Sequence, residues 1–582
     1  MTTTRLLVAM ATVIAMGCGP GSRNGTNGNN PDTDGGGPPV CPRCSDDNAA
    51  TIDCDGNTFP CASGQLCSGG TCANACQAAQ DNHSSVGCDY YAVDMDAAQG
   101  PPQDACFTVF VANTSKDPVH LDVTWNGSAL AVNTFARLPV GAGTQLTYAP
   151  YDNTAGLAPG KVAILFLAEG PFNPLNMNVQ CPVAAAVGPP AQVKGSGVGH
   201  AFHITTDQPV VAYQMLPYGG GKAAATGASL LIPTSAWGTN YVAVTAYDAD
   251  SGAPPIPIPM GPSMNIVAKE DGTTISMRPK SAISATGPIP AAAANGNWTM
   301  MLDKGEYAQI TQQNILSGSP VSSDKPVGVF GGHQIMSIDR CCGDHGEQML
   351  TPVSALGSEY VAAPHADRRR DHLADPRVFR IFGAADGTQL TYEPANVGPA
   401  TINLGEHVEI RTDGSPFVVR SQDAAHPFAM FTYMTGGGDE VDAPGEGDAD
   451  FVRLVPPPQY LTHYVFFTDP TYPFTTLTVV RKKKAGVFED VTLDCLGTLA
   501  DWAPVGSGGD YEISFVKLAD ALNAVGNCNN GVHTMDSHGQ FGVWVWGWGA
   551  NYVKLDNVPT GWVSYGYPAG EAVLPINDVI IQ

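Results

Sequence analysis

Basic residues are scarce in this chain: 28 Lys and Arg stand against 54 Asp and Glu, for a formal net charge of −26. So acidic a chain repels phosphate backbones, which excludes nucleic acid as a partner class. Long apolar runs are also missing. Beyond the leader no stretch offers 18 consecutive apolar residues, so no second membrane anchor is expected. The common catalytic signatures are absent as well, with no serine-hydrolase elbow, paired-His zinc helix or phosphate loop. The nearest string, GSGVG at 195–199, lacks a Gly two positions before Ser196 and has no helix expected after it. Charged residues make up only 14% of the chain, whereas Gly numbers 66 and Pro 47. That balance describes a turn-rich, strand-rich protein rather than a helical one.

The first residues, MTTTRLLVAMATVIAMGCGP, place one basic residue before an apolar run that ends at Gly17 and Cys18. This is an export signal over residues 1–17, too short to persist as a spanning helix. The small residue before cysteine resembles the bacterial lipoprotein processing site, which implies acylation of Cys18 and a membrane hold through an N-terminal lipid. Residues 18–40 are rich in Gly, Asn and Pro and read as a flexible tether, with an average span of roughly 25 Å for about 20 residues. Of 15 cysteines, one would be acylated, and the even remainder suits disulfide pairing in an oxidising compartment.

Residues 41–88 hold Cys41, Cys44, Cys54, Cys61, Cys67, Cys72, Cys76 and Cys88 with few sizeable apolar side chains. A core that thin needs covalent staples, so a small disulfide knob is expected in preference to a zinc ribbon. Beyond it Cys106 with Cys181 and Cys495 with Cys528 are natural pairs, although spacing leaves the connectivity open.

From residue 89 to 575 an internal repeat appears. A Gly-Thr turn enters an alternating strand in GTQLTYAP at 143–150, GTTISMRP at 272–279 and GTQLTYEP at 387–394, the first and third agreeing at seven of eight positions. An Asp precedes a β-branched and aromatic strand at Asp207, Asp324, Asp423 and Asp536. A Tyr-led strand recurs in WGTNYVAV, LGSEYVAA and YLTHYVFF. The expected fold is all-β: about four degenerate tandem repeats of roughly 100 residues, each a β-sandwich-like module, with a β-propeller as the alternative. Their approximate bounds are 89–220, 235–335, 355–437 and 458–550.

The segments AKEDGTTISMRP, SGSPVSSDKPVGVFGGH, ALGSEYVA and SQDAAHPFAMFTYM resemble the IgG Fc-binding protein N-terminal domain family. The resemblance spans roughly residues 88–570 and implies an extracellular all-β recognition module. The von Willebrand type D modules that accompany this domain in the animal protein have no counterpart here, and immunoglobulin binding is not carried over from a shared fold.

Several clusters are candidate chemistry. Residues 331–349 gather His333, Asp339, Cys341, Cys342, Asp344, His345 and Glu347, where structural disulfides are the expected role of the cysteines. The acidic loop at 436–451 offers Asp439, Asp442, Asp448 and Asp450 as oxygen ligands for a structural Ca²⁺. Trp544, Trp546 and Trp548 alternate along one strand face, either as a ligand-stacking stripe or as core. No catalytic residues and no other cofactor are expected. The function these features describe is non-catalytic: a lipid-anchored outer-membrane or cell-surface protein that binds an extracellular protein or glycan. A structural envelope or stalk protein is the alternative, ahead of a secreted hydrolase.

Overall fold

The computed structural model describes residues 41–582 apart from 46–47, 99, 101, 175–177, 189–190, 224, 249–259, 340–342, 369–374, 438–445 and 562. Signal, tether and Cys18 therefore lie outside the described residues, as do Cys341, Cys342, Asp439 and Asp442. The described chain is overwhelmingly strand, with one helix of two turns at Ala75–Asn82. No described helix is long and apolar enough to cross a membrane.

The N-terminal knob is held by Cys41 with Cys54, Cys44 with Cys67, Cys61 with Cys72 and Cys76 with Cys88. Loops of this size each remove about 3 kcal/mol of unfolded-state entropy, which substitutes for the missing core. Its helix starts at Asn74, whose Oδ1 accepts the N–H of Cys76 at 3.1 Å and of Gln77 at 3.3 Å. The knob is docked on the body: Asp117 accepts Ser63 Oγ at 2.6 Å and Gly64 N–H at 2.7 Å, and Lys116 Nζ reaches the Cys61 carbonyl at 2.7 Å.

Strand pairing arranges the rest as four sheet units, the third of them divided into smaller sheets. Each is organised on one long strand: Phe202–Leu216, Pro320–Met336 and Val532–Trp548, with the third interrupted as Phe417–Arg420 and Phe428–Met434. These are the Asp-led elements. Their first halves are mixed in burial and their second halves mostly buried, as sequence runs such as VVAYQML require. In the first unit the register breaks between Thr205 and Val210, around Asp207, so a single strand serves two layers. The first half pairs with Gly87–Ala92 and Leu121–Trp125, the second with Phe107–Asn113 and Gly227–Leu231. Each unit is thus a curled, sandwich-like pair of layers.

The Tyr-led strands Gly87–Ala92, Gly238–Val242, Glu359–Ala362 and Leu461–Phe467 all lie against first halves of long strands. Their conserved geometry is a buried hydroxyl anchor. Tyr241, Tyr360 and Tyr464 each accept the backbone N–H three residues upstream, at 2.9, 3.1 and 2.9 Å. Tyr90, Tyr241 and Tyr464 donate to the long-strand carbonyls of Val210, Val327 and Phe541.

The Gly-Thr element is not equivalent in all three places, and here the sequence correspondence is corrected. In the second and third units Gly272 and Gly387 donate to Asp303 Oδ1 at 2.9 Å and Asn403 Oδ1 at 3.0 Å, and the following strands pair with the long strand or its interrupted first half. In the first unit GTQLTYAP instead forms the outer arm of the hairpin between Ala136–Val140 and Thr147–Pro150. The slot beside the long strand belongs to Leu121–Trp125. Eight alternating residues suit any half-buried strand, so near identity did not specify the slot.

The four units are closed on one another rather than strung out. The inner strands Gly227–Leu231, Asp344–Leu350, Asp450–Arg453 and Ser564–Pro568 each pair with a long strand, and each touches two of the others to complete a cycle. This closure is the radial principle of a propeller, built here from sandwich-like units. Three of the inner strands run into Leu-x-Pro, at Pro233, Pro352 and Pro456, and these prolines press on Gly87, Gly238 and Gly357 of the same unit, just before the chain passes to the next. A Cβ at those glycines would stand 2.4, 2.6 and 2.5 Å from a proline Cβ. The last junction is made by the chain ends. Ser85 N–H donates to the Glu571 carbonyl at 2.7 Å and Glu571 N–H to Ser85 Oγ at 2.9 Å. The buried Glu571 carboxylate also holds Arg453 Nη1 at 2.7 Å. Replacing Glu571 by Ala strands a buried guanidinium and is expected to cost about 3–5 kcal/mol in denaturant unfolding; a loss below about 1 kcal/mol would mean that closure does not hold the ring.

Candidate functional site

The inner strands begin with polar residues, and closing the cycle brings them together at its axis. Asp344, Asp448 and Asp450 are buried there, along with Glu347, His345, Thr226 and Ser564. Asp344 accepts the Ser564 N–H at 2.5 Å and also the Thr226 N–H. Ser564 Oγ accepts the Asp448 N–H at 2.7 Å and donates to the Asp448 carbonyl at 3.1 Å. Thr226 Oγ1 donates to the Ser564 carbonyl at 2.5 Å. Asp450 Oδ1 accepts the N–H of Phe451 at 2.7 Å, and Glu347 accepts Gln214 Nε2 at 2.6 Å.

Burial governs the protonation of this group. It pushes Asp344 well above the carboxylate range, reinforced by the nearby Asp448 and Asp450. Desolvation also raises Asp450 strongly, brings Glu347 up to about 8 and lowers His345 to about 4. Burial therefore favours the protonated forms of Asp344, Asp450 and Glu347 and the neutral form of His345, as suits a hydrogen-bonded junction. Among the described residues no carboxylate bonds either buried ring nitrogen of His345, so none orients the imidazole as a general base.

The axial acids also do not gather as a metal centre. Among the described residues, the His, Cys, Asp and Glu atoms that converge within 4.8 Å are those of Asp494, Cys495 and His533. Cys495 is joined to Cys528, so its sulfur is not a free thiolate ligand. His533 is already occupied by Asp494 Oδ1 at 3.1 Å and the Asn529 carbonyl at 2.7 Å. Of the proposed calcium ligands, Asp448 and Asp450 sit inside the axis rather than on a solvated loop.

The tryptophan stripe is corrected in the same way. Trp544, Trp546 and Trp548 are 0%, 0% and 2% exposed and cannot stack on a ligand. They share one strand face, as alternation requires, but that face packs on Tyr460, His365 and Phe474. Val543 and Val545 fill the opposite face, because this half of the long strand is central in its sheet. The remaining described cysteines pair within their own units, Cys106 with Cys181 and Cys495 with Cys528.

Two buried ion groups were not legible in the sequence. Arg453 and Glu571 are far apart in the chain, and nothing local marks them. Arg368, from a run of three arginines, is buried with Nε 2.9 Å and Nη2 2.8 Å from the Asp375 oxygens and Nη1 2.8 Å from the Thr435 carbonyl. The Arg368 guanidinium, with Arg377 adding to it, holds the Asp375 carboxyl far below its usual range despite burial. A signal for the junctions themselves did exist in the recurring Leu-x-Pro.

The Glu347 carboxyl has a testable consequence. Its folded-state pKa lies above the unfolded value near 4.3, so the folded state keeps a proton that the unfolded state has lost. Stability is full below the unfolded pKa and falls between about pH 4.5 and 8, by about 1.4 kcal/mol per pH unit for one proton. Glu347→Gln keeps an oxygen for Gln214 and is expected to flatten that slope by one proton, measured by denaturant unfolding across the window. An unchanged slope would remove Glu347 as its source.

Comparison with known proteins adds two findings. A human protein named IgGFc-binding protein is 24% identical to this chain over 374 residues, which are 62% of the chain and 6% of that protein. The chain thus matches a small part of that relative's length. A model of the family described as IgGFc binding protein matches residues 227–547, more than half of the chain. The match opens at the first inner strand, takes in the second and third units and ends in the last long strand. On this extent of matched sequence, the chain belongs to the IgGFc binding protein family.

Proposed function

We propose that this protein is an exported, lipid-anchored binding protein that recognises an extracellular protein or glycan through the exposed hairpins and loops of its ring, and that it is not a catalyst. Membership of a binding family is the observation that carries the reading. The six disulfides of the described chain fit it, since such bonds persist in oxidising compartments outside the cytosol. The interior fits it too, because its titratable groups are engaged in junctions between units rather than opened to a substrate. The name of the human relative concerns that protein, and a family fold does not carry a ligand across. The leader ending at Cys18 and the tether to residue 40 supply the anchor in this reading, standing the knob and ring off an outer membrane or cell surface.

Protease shaving of intact cells, with mass spectrometry of the peptides, tests the arrangement. Release of peptides from residues 89–575 is expected while an acylated Cys18 fragment stays with the membrane. The purified protein should then bind saturably to members of a protein and glycan array. Resistance to shaving until the outer membrane is opened, together with no saturable ligand, would replace this reading with a structural role in the envelope.

A further inference from the structure

The four units differ at one repeated position. Outward from each long strand lies a partner strand, and beyond it another: Val162–Ala168, Glu306–Thr311, His407–Thr412 and Tyr511–Asp520 in turn. In three units this outer strand is covered on its far side. Ala136–Val140 covers the first and Ala503–Val505 the fourth. The second is covered by Gly197–His200, four residues lent by the first unit just before its own long strand begins. In the third unit, among the described residues, no strand pairs with the far edge of His407–Thr412.

The hydrogen-bond phase of that edge follows from its neighbours. Gly383 N–H donates to the Glu406 carbonyl at 3.0 Å, and Ala384 N–H donates the other way, to Pro427, at 3.2 Å. Peptide groups alternate in direction along an antiparallel strand, so Val408, Ile410 and Thr412 turn theirs toward Arg377–Gly383. His407, Glu409 and Arg411 turn theirs outward. Natural edges are commonly blunted by proline, lysine or a bulge. His407–Thr412 has neither residue and its register with Arg377–Gly383 is unbroken, so the edge is straight enough to template another strand.

Charge decides what fits it. Glu409 and Arg411 are the outward-bonding residues on either side of Ile410, with side chains 25% and 44% exposed. An antiparallel copy related by a two-fold axis through Ile410 sets Glu409 opposite Arg411 of the second copy, and Arg411 opposite its Glu409. Opposite charges placed directly across an antiparallel pair are favourable, and a two-fold makes the match twice. Arg411 is already oriented by Asp339 at 2.5 Å and Glu409 at 2.7 Å, which lowers the cost of presenting it.

We propose that the outer edge of His407–Thr412 is a self-association edge, at which two copies of this chain join antiparallel about Ile410 so that the sheet of the third unit continues from one copy into the other. The same kind of strand addition already fills the corresponding place in the second unit, within one chain. A pair formed this way carries two copies of every ligand surface and two N-terminal anchors.

The test is sedimentation equilibrium of the full-length chain in mild detergent over a wide concentration range, alongside hydrogen exchange of the backbone amides. A reversible monomer–dimer equilibrium is expected, with the amides of His407, Glu409 and Arg411 gaining protection as the dimer forms. Arg411→Glu places like charges across the axis and should weaken the dimer at least tenfold. The double exchange Glu409→Arg with Arg411→Glu restores complementarity and should recover most of it. A chain that stays monomeric throughout, a dimer indifferent to Arg411→Glu, or protection gained at another edge would each overturn the proposal. Should the variants fail to fold by circular dichroism, the exchange pattern of the unaltered chain decides alone.

Discussion

The junction between Ser85, Glu571 and Arg453 is the contact on which the rest of this structure depends. Each unit leaves one side of its long strand to be completed by an inner strand, and each inner strand is buried only when its two neighbours stand beside it. Three of the four joints are made within a continuous chain, through Leu-x-Pro turns at Pro233, Pro352 and Pro456 that press on glycines. The fourth has no peptide bond across it, so hydrogen bonds and a buried ion pair must do there what chain continuity does elsewhere. A pair of charges removed from water is costly to leave unmatched. That cost makes the closed ring the arrangement in which both are satisfied.

The same closure explains what so many buried acids do at the axis. Asp344, Glu347 and Asp450 are buried, and burial favours their protonated forms. At least one oxygen of each accepts a hydrogen bond, from the backbone of Thr226, Ser564 or Phe451 or from the Gln214 amide. The carboxyls thus link the inner strands to one another and to the long strands. Among the described residues, exposed hairpins and sheet edges, including the far edge of His407–Thr412, are what remain available to partners, consistent with a family of binding proteins.

The third unit stands apart from the other three. Its long strand is broken between Arg420 and Phe428, its layers separate into smaller sheets, and its outermost strand has no cover among the described residues. It is nevertheless pinned by the buried Arg368 and Asp375 pair and by Tyr360, so the irregularity does not loosen its core. A unit that keeps its core and leaves an edge open is where a modular protein can meet another chain without disturbing its ring.

Strand content, the disulfide-dependent knob and the order of the Asp-led and Tyr-led elements were all legible in the sequence. Each rests on a local property: alternation of side chains, the spacing of cysteines, or a tyrosine three residues after a backbone donor. What needed the tertiary structure was every question about which surface ends up covered. GTQLTYAP and GTQLTYEP differ at one residue yet occupy different slots, because a slot is assigned by the strands on either side. Trp544, Trp546 and Trp548 share a face in any strand, and only the packing of Tyr460, His365 and Phe474 against that face made it core. Asp448 and Asp450 read as a solvated acidic loop until inner strands from distant parts of the chain enclosed them. The sequence alone therefore determined the strands and their punctuation, which are set by neighbours along the chain. The structure decided burial, its pull on the titratable groups and which strand of each unit is left at an edge, because these are set by residues far away in the chain.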